Sequence, residues 1–278
     1  MAMKSIQSIL IPTDYSVNAN RAARMGVALA KDMGAEVFIF HSFGLPVIGV
    51  AESIAIADDI KHTEGKKLDK YLGELKTEFG DVKIHGILEF GSAVDWMQKI
   101  VSAKKIDLIV MGTKGQTDAT GVVFGSVASH VVNNVDCPAL IIPQGCRNHT
   151  ISEILFATDF HFSNNLATCV SPLLTIIKEY DPFVHVAHFT HQRVAEGHQK
   201  NTEELKLYEL LRDSKHSFHY VEAEDTELAL LEFADKHHCD LIVVVTRHYS
   251  LWEKIFHRSL TRKLALHAEK PMLVLHEK

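Results

Sequence analysis

Residues 111–126 read MGTKGQTDATGVVFGS, an apolar run followed by spaced glycines and a serine. Gly112, Gly115 and Gly125 carry no Cβ, so each allows a tight turn or a ligand close to the main chain. Gly125 and Ser126 stand where a helix is expected to open. A helix start offers free N–H groups and partial positive charge, which suits phosphate oxygens. Ser126 adds a hydroxyl donor and Lys114 a cation. The chemistry implied is phosphate binding. This is not a Walker A loop, in which Lys directly follows the last glycine and Ser or Thr comes next. Here Val127 follows Ser126, and Lys114 lies upstream. The second candidate is Pro12-Thr13-Asp14. The Asp14 carboxylate can accept a hydrogen bond from an adenine amino group, or it can cap the helix expected at 17–34.

Short β-branched runs at 5–12, 35–43, 81–90, 106–112 and 137–143 must position these residues. They alternate with amphipathic stretches at 17–34, 52–79, 92–105 and 125–136, the first closing on Gly34 as C-cap. Strand–helix alternation predicts an α/β fold, a parallel sheet covered on both faces. Ligands bind such sheets beyond the carboxyl ends of the strands, where strand order reverses. The ends of the first and fourth strands meet there, bringing 12–14 and 111–115 to one crevice.

The pattern then repeats. ISEILFATDF (151–160) echoes IQSILIPTDY (6–15), CDLIVVV (239–245) echoes IDLIVMG (106–112), and KPMLVLH (270–276) echoes CPALIIP (137–143). Asp14 answers to Asp159 (159 − 14 = 145), whereas Asp107 answers to Asp240 (240 − 107 = 133). The second half is therefore shorter between its first and fourth strands. The expected place is after the second strand, where the first half carries SFGLPVIGVAESIAIAD (42–58). Two adjacent domains are expected, 1–146 and 147–278, joined by the polar linker QGCRNHT (144–150).

Bulk properties narrow the function. With 278 residues, 46% hydrophobic and 23% charged, the chain reads as soluble and globular. A formal net charge of −6 argues against nucleic-acid binding by the whole chain. No apolar run approaches the roughly 20 residues of a membrane helix, and the N-terminal stretch does not read as a signal peptide. Cys137, Cys146, Cys169 and Cys239 have no C-x-x-C spacing and are expected to be reduced, buried thiols of a cytoplasmic protein.

The chain resembles the universal stress protein family in its tandem form. The nucleotide-binding members carry G-x2-G-x9-G-[ST], matched here by Gly112, Gly115, Gly125 and Ser126. Met111, Val127, the strand before Asp14 and CPALIIP extend the likeness. The resemblance implies two Rossmann-like domains (adenine nucleotide alpha hydrolase-like), each a five-stranded parallel sheet in the order 3-2-1-4-5. It implies ATP, or another adenine nucleotide, in the first domain, with Mg or Mn in some members. Pro12, Thr13, Asp14 and the backbone near Ser42 would hold the adenine end. Met111 and Gly112 would border the ribose, and Lys114, Gly115, Gly125, Ser126 and Val127 the phosphates. The final strands, 139–142 and 272–276, would pair antiparallel. The function implied is a stress-response sensor or regulator, with a homodimer as a further expectation and no nucleic-acid or membrane partner.

The second half departs from this motif. At the offset of 133, Gly112 becomes Val245, Gly115 becomes His248 and Gly125 becomes Arg258, while the serine survives as Ser259. No ATP is expected there in the first half's manner. Fourteen of the 18 histidines follow residue 145. HVAHFTH (185–191) and HSFHY (216–220) raise a metal reading, although a strand turns His185 and His188 to opposite faces. Packed or surface histidines are the plainer expectation, and no metal ligand is assigned. Arg247, Lys254, Arg258, Arg262 and Lys263 read as a solvated helix face or an anion site. Trp96 is expected in the core. No G-x-S-x-G elbow, H-E-x-x-H pair or Cys–His nucleophile is present, and no catalytic residue is assigned. Alternatives to the sensor are a slow ATP hydrolase or phosphotransferase, and an interaction scaffold with a vestigial pocket.

Overall fold

The computed structural model describes residues 5–44, 50–113, 126–146, 150–162, 166–191, 202–246 and 270–277, with main chain alone at 50–55, 126 and 227. The first half runs β1 (Ser8–Pro12), α1 (Val17–Met33), β2 (Glu36–Phe43), α2 (Val50–Phe79), β3 (Ile84–Phe90), α3 (Ala93–Lys104), β4 (Leu108–Gly112), α4 (Ser126–Asn134) and β5 (Ala139–Ile142). The second runs β6 (Glu153–Ala157), α5 (Leu166–Cys169), α6 (Ser171–Tyr180), β7 (Phe183–Thr190), α7 (Thr202–Leu210), β8 (Lys215–Glu222), α8 (Thr226–Lys236), β9 (Leu241–Thr246) and β10 (Met272–His276).

Local chemistry sets these bounds. Ile9, Leu10 and Ile11 are wholly buried, as a central parallel strand requires. Pro12 ends β1, since it has no N–H for a ladder. The Ser16 hydroxyl accepts the Ala19 N–H at 3.1 Å and starts α1. Gly34, with φ of 65°, closes it as the expected C-cap. The counterpart of α1 is split into α5 and α6, with Pro172 at the opening of α6. Trp96 is only partly buried, its Nε1–H donating to the Phe90 carbonyl at 2.8 Å. Met97 beside it is the fully buried residue of α3.

The strands form one ten-stranded sheet in the order β3-β2-β1-β4-β5-β10-β9-β6-β7-β8. Each half keeps the expected 3-2-1-4-5 order, read from its own outer edge. All pairings within a half are parallel. The halves join where β10 runs antiparallel to β5, with Leu273 opposite Leu140. The carboxyl ends of the two sets of strands consequently point in opposite directions. The missing residues of the second half fall between its second and third strands, as expected: Val37 pairs with Ile84, but its counterpart Val184 pairs with His216.

Two apolar layers cover the sheet, one beneath α1, α2 and α5–α7, the other beneath α3, α4 and α8. Further contacts tie the seam. The Tyr180 hydroxyl of α6 donates to Asp32 Oδ2 of α1 at 2.6 Å, and His276 Nε2–H to the Val132 carbonyl of α4 at 2.8 Å. All four cysteines are buried free thiols. Among the described residues, no helix is long and apolar enough to cross a membrane.

Candidate functional site

β1 lies directly beside β4, with Leu10 opposite Ile109. Pro12–Asp14 and Met111–Thr113 therefore end together where the strand order reverses. The end of β1 turns sharply. Thr13 Oγ1 accepts the Tyr15 N–H at 3.0 Å, and Asp14 Oδ1 accepts the Ser16 N–H at 3.0 Å. Tyr15 takes a positive φ of 62° between them. One oxygen of Asp14 is thus committed to the entry of α1. A carboxylate has further acceptor capacity beyond this bond.

An aromatic wall stands on the β2 side. The Tyr15 ring packs 4.6 Å from His41 and edge-on to Tyr71 at 5.6 Å. His41 Nδ1–H donates to the Thr13 carbonyl at 2.8 Å, and its Nε2 faces Glu64 of α2 at 3.4 Å. Burial, above all, pushes the Tyr71 hydroxyl up to about 12. Burial, reinforced by the Glu64 carboxylate and then by Tyr71, raises Tyr15 well above its ordinary range. Both phenols stay neutral at neutral pH.

The other expected site residues divide. Ser42 lies near the end of β2, in register with Glu89 of β3, and is partly buried. The Met111 side chain is in the core, which leaves only its main chain for a ligand. Ser126 opens α4, and Val127 is exposed in its first turn. Lys114, Gly115 and Gly125 lie outside the described residues, as do His248, Arg258, Ser259 and the rest of the second-half basic stretch.

Gly112 has an unexpected neighbour. A Cβ there would stand 2.6 Å from Asn18 Nδ2. Asn18 comes from the first turn of α1, is 5% exposed, and its Nδ2 donates to Thr113 Oγ1 at 3.4 Å. The space on the Cβ side of Gly112 is occupied by this side chain. In the second half, Val245 has its Cβ and is buried in the core.

The second half otherwise copies the turn. Thr158 Oγ1 accepts the Phe160 N–H, Asp159 Oδ1 accepts the His161 N–H, and His188 Nδ1–H donates to the Thr158 carbonyl. Phe160 has a φ of 55° and packs against His188 and Tyr220. The aspartate and its turn thus belong to the fold of both halves. Sequence reasoning missed His41, although its repeat as His188 at the end of the second strand could have found it. It missed Asn18, which has no such signal. Among the described residues, no three His, Cys, Asp or Glu side chains are grouped to hold a metal ion.

The family model for universal stress proteins matches residues 5–143 and 173–276. The chain belongs to the universal stress protein family. A universal stress protein of Methanocaldococcus jannaschii is 34% identical over 144 residues, covering 50% of this chain and 82% of its own. The solved structure of a universal stress protein from Archaeoglobus fulgidus is 16% identical, covers 98% of both chains and gives a TM-score of 0.71, a likeness of fold across both halves. A further universal stress protein, solved in complex with cAMP, is 22% identical over 50% of this chain and 98% of its own, with a TM-score of 0.39.

Proposed function

We propose that the first half of this universal stress protein, residues 1–146, binds ATP or another adenine nucleotide as a stress-response sensor or regulator. The second half, 147–278, supports the assembly without a nucleotide of its own. The observation that carries this reading is the meeting of Pro12–Asp14 with Met111–Thr113 at the reversal of strand order. The sequence from Gly112 to Ser126 leads from that point to the start of α4, where helix N–H groups favour phosphate. Pro12, Thr13, Asp14 and Ser42 would face the adenine end. The main chain of Met111 and Gly112 would border the ribose. Lys114, Gly115, Gly125, Ser126 and Val127 would hold phosphates, with Mg or Mn neutralising them.

The test is to denature freshly purified protein, identify any released nucleotide, and titrate ATP calorimetrically with and without Mg. Gly125→Arg copies what the second half carries at 258 and is expected to abolish binding. Unchanged ATP binding by that variant would sink the phosphate assignment. Steady-state ATP turnover well above that of Ser126→Ala would move the reading to an enzyme.

A further inference from the structure

Away from the crevice, three imidazoles gather on the α8 face of the second half. His185 comes from β7, His219 from β8 and His237 directly follows α8. Ring centroids lie 4.5 Å apart for His185 and His237, 5.3 Å for His185 and His219, and 5.6 Å for His219 and His237. His185 Nδ1 is 3.2 Å from His219 Nε2, and the Ser217 hydroxyl is 2.6 Å from that Nε2 and 3.3 Å from Nδ1. His185 Nε2–H faces Glu153 Oε2 of β6 at 3.0 Å. The carboxylate can only accept, so it places a proton on Nε2 and leaves Nδ1 of a neutral His185 as acceptor. The His185–His219 contact therefore cannot survive with both rings fully protonated. Phe233 of α8 stacks on His237 at 4.2 Å and meets His219 edge-on at 5.0 Å, locking the helix to the same rings.

We propose that this cluster is a proton-operated latch: neutral, it holds α8 on β7 and β8, and charging its rings releases α8. The surrounding charges favour release over compensation. Lys236 beside both His219 and His237, and His238 beside His237, disfavour the charged rings, while Glu153 favours the charged form of His237. Glu153 is already engaged by His185. Asp240, before β9, accepts the N–H groups of Ser152 and Glu153, and Asp235 pairs with Lys270. Cys239 is a buried neutral thiol. A proton, rather than a metal, is the ligand that suits the geometry, since His185 turns its two nitrogens to different partners. Release would expose Leu230, Leu231 and Ala234, the buried face of α8.

Burial, and then the neighbouring imidazoles, hold His219 and His237 below their ordinary range. The folded cluster therefore binds fewer protons than the opened one. The latch is complete above about pH 6.5 and weakens as pH falls through the ordinary histidine range toward the lowered values.

Amide exchange of α8 in the full chain, followed from pH 7.5 to 5, tests this. Below about pH 6.5, protection factors should fall about tenfold per pH unit for each proton taken up, while those of α1 hold. His219→Gln with His237→Gln should flatten that slope. Should the double variant fold poorly, histidine NMR titration of the unmodified chain gives a second readout, with His219 and His237 titrating below the ordinary range. Protection of α8 that ignores pH, a slope unchanged in the variant, or ordinary titration of both rings would overturn the latch. Stoichiometric zinc binding that protects α8 would overturn it in favour of a metal site.

Discussion

Gly112→Ala separates packing from ligand binding at the end of β4. The added Cβ would stand 2.6 Å from Asn18 Nδ2, 3.0 Å from its Cγ and 3.3 Å from its carbonyl carbon. The amide end of Asn18 could swing away in the open, but this side chain is buried, and the carbonyl carbon belongs to helical backbone. Overpacking of this kind costs about 1–3 kcal/mol. For a chain of this size that lowers the melting temperature by roughly 2–12 °C. Asn18→Ser shortens the obstacle to the residue type that the repeat carries at the same offset as Asp159, Ser163 (18 + 145 = 163). Thermal melts of both single variants and of Asn18→Ser with Gly112→Ala complete a double-mutant cycle. The pair should recover at least about 1 kcal/mol relative to the sum of its parts. Effects that add within about 0.5 kcal/mol would refute the reasoning that Asn18 is what an added Cβ at Gly112 meets. ATP titration of the paired variant then reads the ligand's own demand on Gly112.

Two further outcomes follow from buried groups. Leu273→Ala, at the seam opposite Leu140, should cost about 2–5 kcal/mol, and calorimetry should split one transition into two as the halves uncouple; a melt identical to the parent's would count against the seam as the joint. Burial pushes the Cys239 thiol up to about 12, so at pH 8 only about one molecule in ten thousand carries the thiolate there. Iodoacetamide should leave Cys239 unmodified in the native chain and label it after denaturation.

The strand–helix alternation, its repeat and the Gly34 cap were legible from local pattern, whereas the 3-2-1-4-5 order and the antiparallel seam were legible only through the family resemblance. Pro12, Gly34 and the echo of CPALIIP in KPMLVLH are signals that need no partner. The packing around Gly112 was not legible: Asn18 lies far from it in sequence, and glycine spacing reads alike whether the cleared space serves a side chain or a ligand. Asp14 was half legible. The cap of α1 is Ser16, and Asp14 instead fixes the turn before it by accepting the Ser16 N–H; the equivalent bond from His161 to Asp159 explains why the residue persists in both halves. The imidazole cluster was legible only as an excess. HVAHFTH and HSFHY supplied one ring each, His185 and His219, but His237 joins them through the placement of α8, which no spacing reveals. His188 went to the opposite face, as strand alternation required.

The β5–β10 seam also changes how the halves respond to dilution. Two separate chains joined along such strands would part as their concentration fell, because association is second order. Joined by the short connection from β5 to β6, the halves meet at a local concentration fixed by geometry, and their pairing is indifferent to how much protein the cell contains. One half can then lose its glycine loop without losing its partner. A gene encoding a single half has no such freedom, since any change there alters both copies at once.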